Sequence, residues 1–349
     1  MSYENLPSYE SIIQQLKTKK RRKHLLFGNG FSIAYDHSIF TYNALSKFIE
    51  ENGDESVRDL FKTLNTTNFE LIMKQLESFS KVVHLFTTDP DAQKKINNII
   101  DTLKKSLIDA VTRLHPNHVF EVPEDKSKAC LNFLEEYLSK DGFVFSTNYD
   151  LLFYWILMRN ESEFICDGFG RDLETDLYHN KQVEELDYSE LRWGKYNKEQ
   201  NVFYLHGSLP IFDDGINIIK VQYDNEHYLL DNVKERVERG EYPVFVTAGD
   251  GSDKLSQITH NKYLNFCLEK LMNIEGSLIT FGFNFGEYDE HIIDAINIAA
   301  KRGKRTGEKL HSVYIGVYSE EDYNHIKSIE YKFQCKVNMY DAKTANIWG

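Results

Sequence analysis

His24-Leu25-Leu26-Phe27-Gly28-Asn29-Gly30-Phe31-Ser32 is the stretch that decides the fold. A short apolar run ended by glycine reads as a strand buried on both faces. The Gly-Asn-Gly that follows reads as a tight turn into a helix. Glycine lets a backbone approach a pyrophosphate, and N–H groups of the turn and the helix start can bind its charge. Gly28, Asn29, Gly30 and Ser32 are therefore candidate ligand contacts. The same pattern also fits an ordinary strand–helix turn. A dehydrogenase-type dinucleotide fingerprint is disfavoured. Ile33 stands where the third glycine of GxGxxG belongs, and no acidic strand end follows ~20 residues later.

The signature recurs along the chain. Phe143 to Thr147 runs into Asn148-Tyr149-Asp150, and Val202 to Leu205 ends at His206-Gly207. Val244 to Thr247 ends in Ala248-Gly249-Asp250-Gly251, and Leu278 to Phe281 ends at Gly282. Ser312 to Val317 and Lys336 to Met339 close the series. Consecutive rather than alternating apolar residues suit strands of a parallel sheet covered by helices. The predicted fold class is α/β, a Rossmann-like, mostly parallel sheet with helices on both faces. Residues 1–22 read as an N-terminal helical lead-in and 23–349 as one α/β domain. Within it, Thr41 to Glu51, Ser56 to Leu64, Asn68 to Leu85, Asp91 to Leu114 and Lys126 to Ser139 show helical spacing. They predict a helical insertion over 41–140. Asn68 and the Asp89-Pro90-Asp91 cluster are its internal helix-start signals. Residues 160–200 read as an acidic irregular stretch, with Gly168 and Gly170 in a loop.

Composition narrows the function. The 349 residues are 41% hydrophobic and 13% aromatic, which excludes a disordered chain. Lys+Arg total 41 against 54 Asp+Glu, a net charge of −13. That disfavours direct nucleic-acid binding and anionic membranes, which need clustered positive charge. The one basic run, Lys19 to Lys23, reads as a solvated helix end. No apolar run approaches the ~18–20 residues of a membrane helix. A polar start and four scattered cysteines without CxxC predict a cytoplasmic protein with neither disulfides nor a zinc ribbon.

Polar residues at strand ends carry the candidate chemistry. Asn148 both donates and accepts, so it can orient a sugar hydroxyl or a water. Asp150 can accept from an amide or cap the next helix. His206, beside Gly207, can take a proton near neutral pH, as a general base must. Gly282 permits close approach of a ribose or adenine, and Asn284 offers hydrogen bonds to hydroxyls. Asp289 reads as a helix cap.

In this order the motifs resemble the SIR2-like superfamily, and within it the bacterial DUF4917 type. Pro243 to Gly249, Lys254-Leu255, Tyr263-Leu264 and Gly282 through Ile292 carry the second likeness. The resemblance spans residues 23 to 300 and is least specific in the helical insertion. It implies a SIR2-like α/β domain with Asn148 and His206 as catalytic residues. Gly28, Asn29, Gly30, Ser32, Thr147, Asp150, Gly282 and Asn284 are the implied NAD+ contacts, although many relatives carry Ser where Asn284 stands. Sirtuin deacylases hold zinc with four cysteines after the catalytic histidine. Only Cys267 and Cys335 follow His206, and the deacylases' Pro-Asp-Phe-Arg stretch is missing. The resemblance therefore implies no zinc module and no metal. It points to NAD+ hydrolysis into nicotinamide and ADP-ribose, with NAD+ as substrate, in an effector of antiphage defence. It further implies a homo-oligomer, a regulatory partner such as an ATPase, and no membrane. A non-catalytic sensor of NAD+ or ADP-ribose is the alternative, and a zinc-free deacylase a third reading.

Overall fold

The computed structural model describes residues 3–67, 69–89, 91–160, 162–170, 191–222, 228–246, 251–301 and 309–349. α1 (Tyr9–Thr18) begins at Ser8, whose hydroxyl accepts the Ser11 N–H, and buries Ile12 and Leu16 in the main core. β1 (Lys23–Phe27) is buried at every position and turns into α2 (Gly30–Tyr35). Four helices follow: α3 (Tyr42–Asn52), α4 (Glu55–Leu64), α5 (Phe69–Val82) and α6 (Ala92–Leu114). Then come α7 (Glu124–Leu138), β2 (Val144–Ser146) and α8 (Leu152–Asn160). Asn68 and Pro90, read as helix-start signals, lie outside the described residues.

The next stretch holds β3 (Phe169–Gly170), β4 (Leu191–Trp193), β5 (Val202–Tyr204), β6 (Gly207–Asp213) and β7 (Ile218–Lys220). α9 (Leu229–Glu238), β8 (Pro243–Phe245), α10 (Gly251–His260) and α11 (Lys262–Met272) lead to β9 (Gly276–Phe281). α12 (Glu290–Lys301), β10 (Leu310–Val317), α13 (Glu320–Ile329) and β11 (Lys336–Asp341) complete the chain.

Six strands form one parallel sheet in the order β11-β10-β9-β1-β2-β5. Numbered by their own succession and read from the β5 edge, this is 3-2-1-4-5-6, the order of two mononucleotide-binding halves. The chain winds outward from β1 to β5, then returns to β9 on the other side of β1. The switch point therefore lies between the carboxyl ends of β1 and β9, where such sheets hold their ligands. α7 packs on β1 and β2, while α11 packs on β5 and α12 on β10. The sheet is thus Rossmann-like, as its apolar runs predicted.

Two expectations are corrected. Val244 to Thr247 was expected in the same series of strands. Instead β8 joins a second, antiparallel sheet of order β3-β4-β7-β6-β8. Pairing partners decided this, since the run's apolar character is the same in both settings. That sheet also takes in Gly170, expected in a loop. Lys23 is the other case. Rather than ending a solvated helix, it lies buried in β1 and pairs with Glu136 of α7.

Of the expected insertion, α3 to α6 surround a hydrophobic cluster of their own, including Phe61, Phe69, Ile72 and Leu103. α7 belongs instead to the main core, through Phe133, Leu134 and Tyr137.

The switch point is closed by glycine against glycine. The Gly28 N–H donates to Phe281 O at 3.1 Å and the Gly30 N–H to Gly282 O at 2.9 Å. A Cβ on Gly30 would stand 2.4 Å from the Gly282 Cα. Gly282 itself has φ +60°, a left-handed conformation that glycine adopts without strain. Gly30→Ala is therefore expected to destabilise the fold by about 1–3 kcal/mol, since the obstacle is backbone that cannot rotate away. A lowered urea midpoint checks this; an unchanged midpoint would contradict the contact.

Candidate active site

A cavity of about 800 Å³ opens at the carboxyl ends of the central strands. Its floor comes from Asn29 and Gly30 after β1, Thr147, Asn148 and Asp150 after β2, and His206 after β5. Gly282 and Asn284 after β9 and Gly316 to Tyr318 at β10 continue it. The helical insertion supplies an apolar wall through Leu45, Phe69, Met73, Leu107 and Val111.

Hydrogen-bond accounting fixes Asn148. The Ser32 hydroxyl has one proton, and it donates to Asp150 Oδ2 at 2.6 Å. It must then accept from Asn148 Nδ2, which lies 2.8 Å away. This leaves Asn148 Oδ1 buried with no hydrogen-bond partner among the described residues, on a residue that lines the cavity. An unmatched buried acceptor costs free energy and is ready for a ligand's donor. Asp150 accepts from a backbone amide at the start of α8, as read from sequence, and adds a contact that was not. Its Oδ1 caps α8 through the Leu152 N–H at 2.9 Å, and its Oδ2 anchors Ser32.

His115 stands beside this network and had no sequence signal beyond its type. The Leu151 N–H donates to its Nε2 at 3.2 Å, so that nitrogen is bare. Its Nδ1–H therefore donates to Pro116 O at 2.9 Å. Burial lowers its pKa below the ordinary histidine value, partly opposed by the Asp150 carboxylate.

His206 sits where the two sheets meet. β5 ends just before it and β6 begins just after, at Gly207, whose φ is +81°. A Cβ there would fall 1.7 Å from Val244 O, so only glycine lets β8 lie against the turn. The Val246 N–H donates to His206 O at 3.0 Å. His206 Nε2 faces His291 Nε2 at 2.9 Å. Burial, then His291 and Lys254, push the His206 pKa well below 6.5. Burial takes His291 to about 4, against the pull of Asp289. Lys254, almost wholly buried on α10, donates to Asp289 Oδ1 at 3.0 Å.

Among the described residues, His206, Asp289 and His291 offer three ligand atoms within 4.8 Å of one another. In this structure the two imidazoles stand at a hydrogen-bond separation, 2.9 Å, and Lys254 pairs with one oxygen of the Asp289 carboxylate, Oδ1.

Eight of the ten site residues expected from sequence line the cavity: Asn29, Gly30, Thr147, Asn148, Asp150, His206, Gly282 and Asn284. Gly28 and Ser32 stand behind it and act through what they hold. Two of the turn amides expected to meet a ligand are already used, Gly28 N–H on Phe281 O at the end of β9 and Gly30 N–H on Gly282 O just after it. Asp289, expected as a cap, pairs with Lys254 instead. The loop carrying it turns at Phe285, whose φ of +53° is unusual for an aromatic residue. Phe283 and Phe333 pack against that ring.

Residues 25–348 match the family described as a domain of unknown function, DUF4917. The chain belongs to the DUF4917 family. No curated protein matches it. DUF4917 membership spans both sheets and the helical insertion, so the whole cavity lies inside the family's domain. Sequence reasoning in this DUF4917 protein gave no role to His115, nor to Lys254 and His291, which entered it only within segments that carry the family likeness. Only the spacing Asp289-Glu290-His291 beside the glycine loop could have flagged one of them.

Ser32→Ala is expected to cost about 1–3 kcal/mol, because it strands the buried Asp150 Oδ2 and Asn148 Nδ2. Denaturant unfolding checks it, and a neutral result would contradict the network. Acid sensitivity is also expected. Unfolded histidines protonate near 6.5, whereas burial holds His24 at about 3, His291 at about 4, and His115 and His206 below their ordinary value. The unfolded chain thus binds more protons below about 6.5. Stability from these rings is fully present above that pH and falls as pH drops toward 4. Thermal melts from about pH 8 to about pH 4.5 should show the decline beginning near 6.5.

Proposed function

We propose that this protein hydrolyses NAD+ at the nicotinamide–ribose bond, as a SIR2-like NAD+ glycohydrolase. The observation that carries the reading is Asn148 Oδ1, a buried unpartnered acceptor in the same cavity as His206. The 3-2-1-4-5-6 strand order supports it, since sheets of that order commonly bind dinucleotides at the switch point, where this cavity lies.

The chemistry asks little of the protein. The C1′–N bond breaks with its electron pair going to nicotinamide, which leaves neutral. Positive charge develops on the ribose, and a water adds to C1′ and loses a proton. Asn148 Oδ1 accepts from that water or from a ribose hydroxyl and so orients it. His206, neutral at physiological pH because its pKa is depressed, takes the proton. It is a weak base, and that suffices because the ribosyl cation is strongly electrophilic. The glycine contact of Gly30 and Gly282 forms the crevice floor, and Asn284 meets the adenosine side. The products are nicotinamide, ADP-ribose and a proton.

In this reading the protein works in the cytoplasm as an antiphage effector that depletes NAD+. Assembly into an oligomer or a regulatory partner such as an ATPase restrains it. The motif order from the glycine turn to the Gly282 loop supports that assignment.

Purified protein incubated with NAD+ should release nicotinamide without any acylated peptide. His206→Ala and Asn148→Ala should each lose roughly 10²–10⁴-fold in rate. Release that requires the peptide would favour the deacylase reading. Binding by calorimetry without turnover would favour the sensor. Variants as fast as the wild type would end the assignment.

A further inference from the structure

We propose that His291 is a positioning residue that sets the tautomer of His206, so that the cavity-facing nitrogen of His206 is bare and able to take a proton. The inference rests on the hydrolase reading for its consequence, and on geometry for its substance.

Each imidazole has two nitrogens. His206 uses Nε2 toward His291, at 2.9 Å. His206 lines the cavity and His291 does not, so Nδ1 is the nitrogen left for a substrate. One proton lies between the two Nε2 atoms when both rings are neutral. If His206 supplies it, His206 Nδ1 is bare and the ring is a base. If His291 supplies it, His206 Nδ1 carries a proton and the ring can only donate. The identity of residue 291 therefore decides what His206 offers the cavity.

Base function requires His291 Nε2 to accept, which puts the His291 proton on Nδ1. That atom is buried and has no partner among the described residues. An unpaired buried N–H costs ~1–3 kcal/mol, so an acceptor must come to it. Asp289 is placed for the task. Its carboxylate belongs to the same cluster, and Lys254 holds Oδ1 and leaves Oδ2. A turn of Oδ2 to His291 Nδ1 completes a chain from Lys254 through Asp289 and His291 to His206. The same chain stabilises the imidazolium formed when His206 takes its proton, because Nε2–H already has an acceptor. Lys254 fixes the carboxylate from the far side. His291 touches no substrate atom in this scheme.

Two variants of similar bulk separate this role from packing. Gln at 291 keeps an oxygen that can accept from His206 Nε2–H, and Phe keeps volume without an acceptor. His291→Phe should lower kcat on the order of 10²-fold, with KM for NAD+ changed by less than about threefold and a normal melting profile. His291→Gln should recover most of that loss. Independently of activity, long-range ¹⁵N–¹H correlation spectra of ¹⁵N-histidine protein report each ring nitrogen, with His206→Ala assigning the signals. Wild type near neutral pH should show His206 with a bare Nδ1 and a protonated Nε2, and His291→Phe should lose that preference. A protonated Nδ1 in His206, or Phe and Gln variants equal in rate, would overturn the proposal. If the tautomer is as stated but His206→Ala hydrolyses NAD+ normally, or no NAD+ is cleaved, the hydrolase reading falls and the tautomer assignment stands.

Discussion

Gly30 against Gly282 is the contact on which the rest of the molecule depends. Two backbones meet where any side chain would collide with a Cα or a carbonyl. That approach lets β1 and β9 pair along their full shared length, from Lys23 with Ser277 to Phe27 with Phe281. It makes the point where the sheet changes direction a shallow floor rather than a plugged corner. Behind the turn, α2 is held from the other side. Trp348 donates to Phe31 O at 2.9 Å, and its ring packs on Phe31 and Tyr35. The glycine turn is thus fixed from front and back, and the cavity inherits that rigidity.

Above the floor, the site is a set of buried polar groups whose accounts are nearly closed. Ser32, Asp150 and Asn148 satisfy one another in series, and His115 secures the end of the same loop through Leu151. His206, His291, Asp289 and Lys254 form a second series, which reaches the same cavity through His206 and Asp289. Each series leaves a single buried atom unmatched, Asn148 Oδ1 in the first and His291 Nδ1 in the second. Buried polar groups cost stability when unpaired. The first belongs to a residue that lines the cavity and is open to a ligand's donor, while the second lies behind His206 and beside the Asp289 carboxylate.

Much of this was legible in one dimension. Apolar runs ended by glycine, asparagine or histidine gave the strands of the parallel sheet, because a doubly covered strand needs apolar residues at successive positions. The ligand-side residues followed, since strand ends in such sheets face the crevice. His206 and Asn148 stood out for this reason alone. Val244 to Phe245 misled because an apolar run does not say which partner it pairs with. Lys254 and His291 escaped because each sits on a helix, where a buried charge or ring is indistinguishable from a solvated one until the opposite element is known.

The sequence by itself determined the class of sheet, the helical character of the insertion and the polar residues at the strand ends. Those are consequences of local periodicity and of glycine's backbone freedom, and both can be read within a few positions. Tertiary structure alone decided which glycine meets which, that the side-chain oxygen of Asn148 is left bare, and that a second histidine stands behind His206. These depend on atoms brought together from 85 to more than 250 positions apart, and no local pattern encodes a distance of that kind.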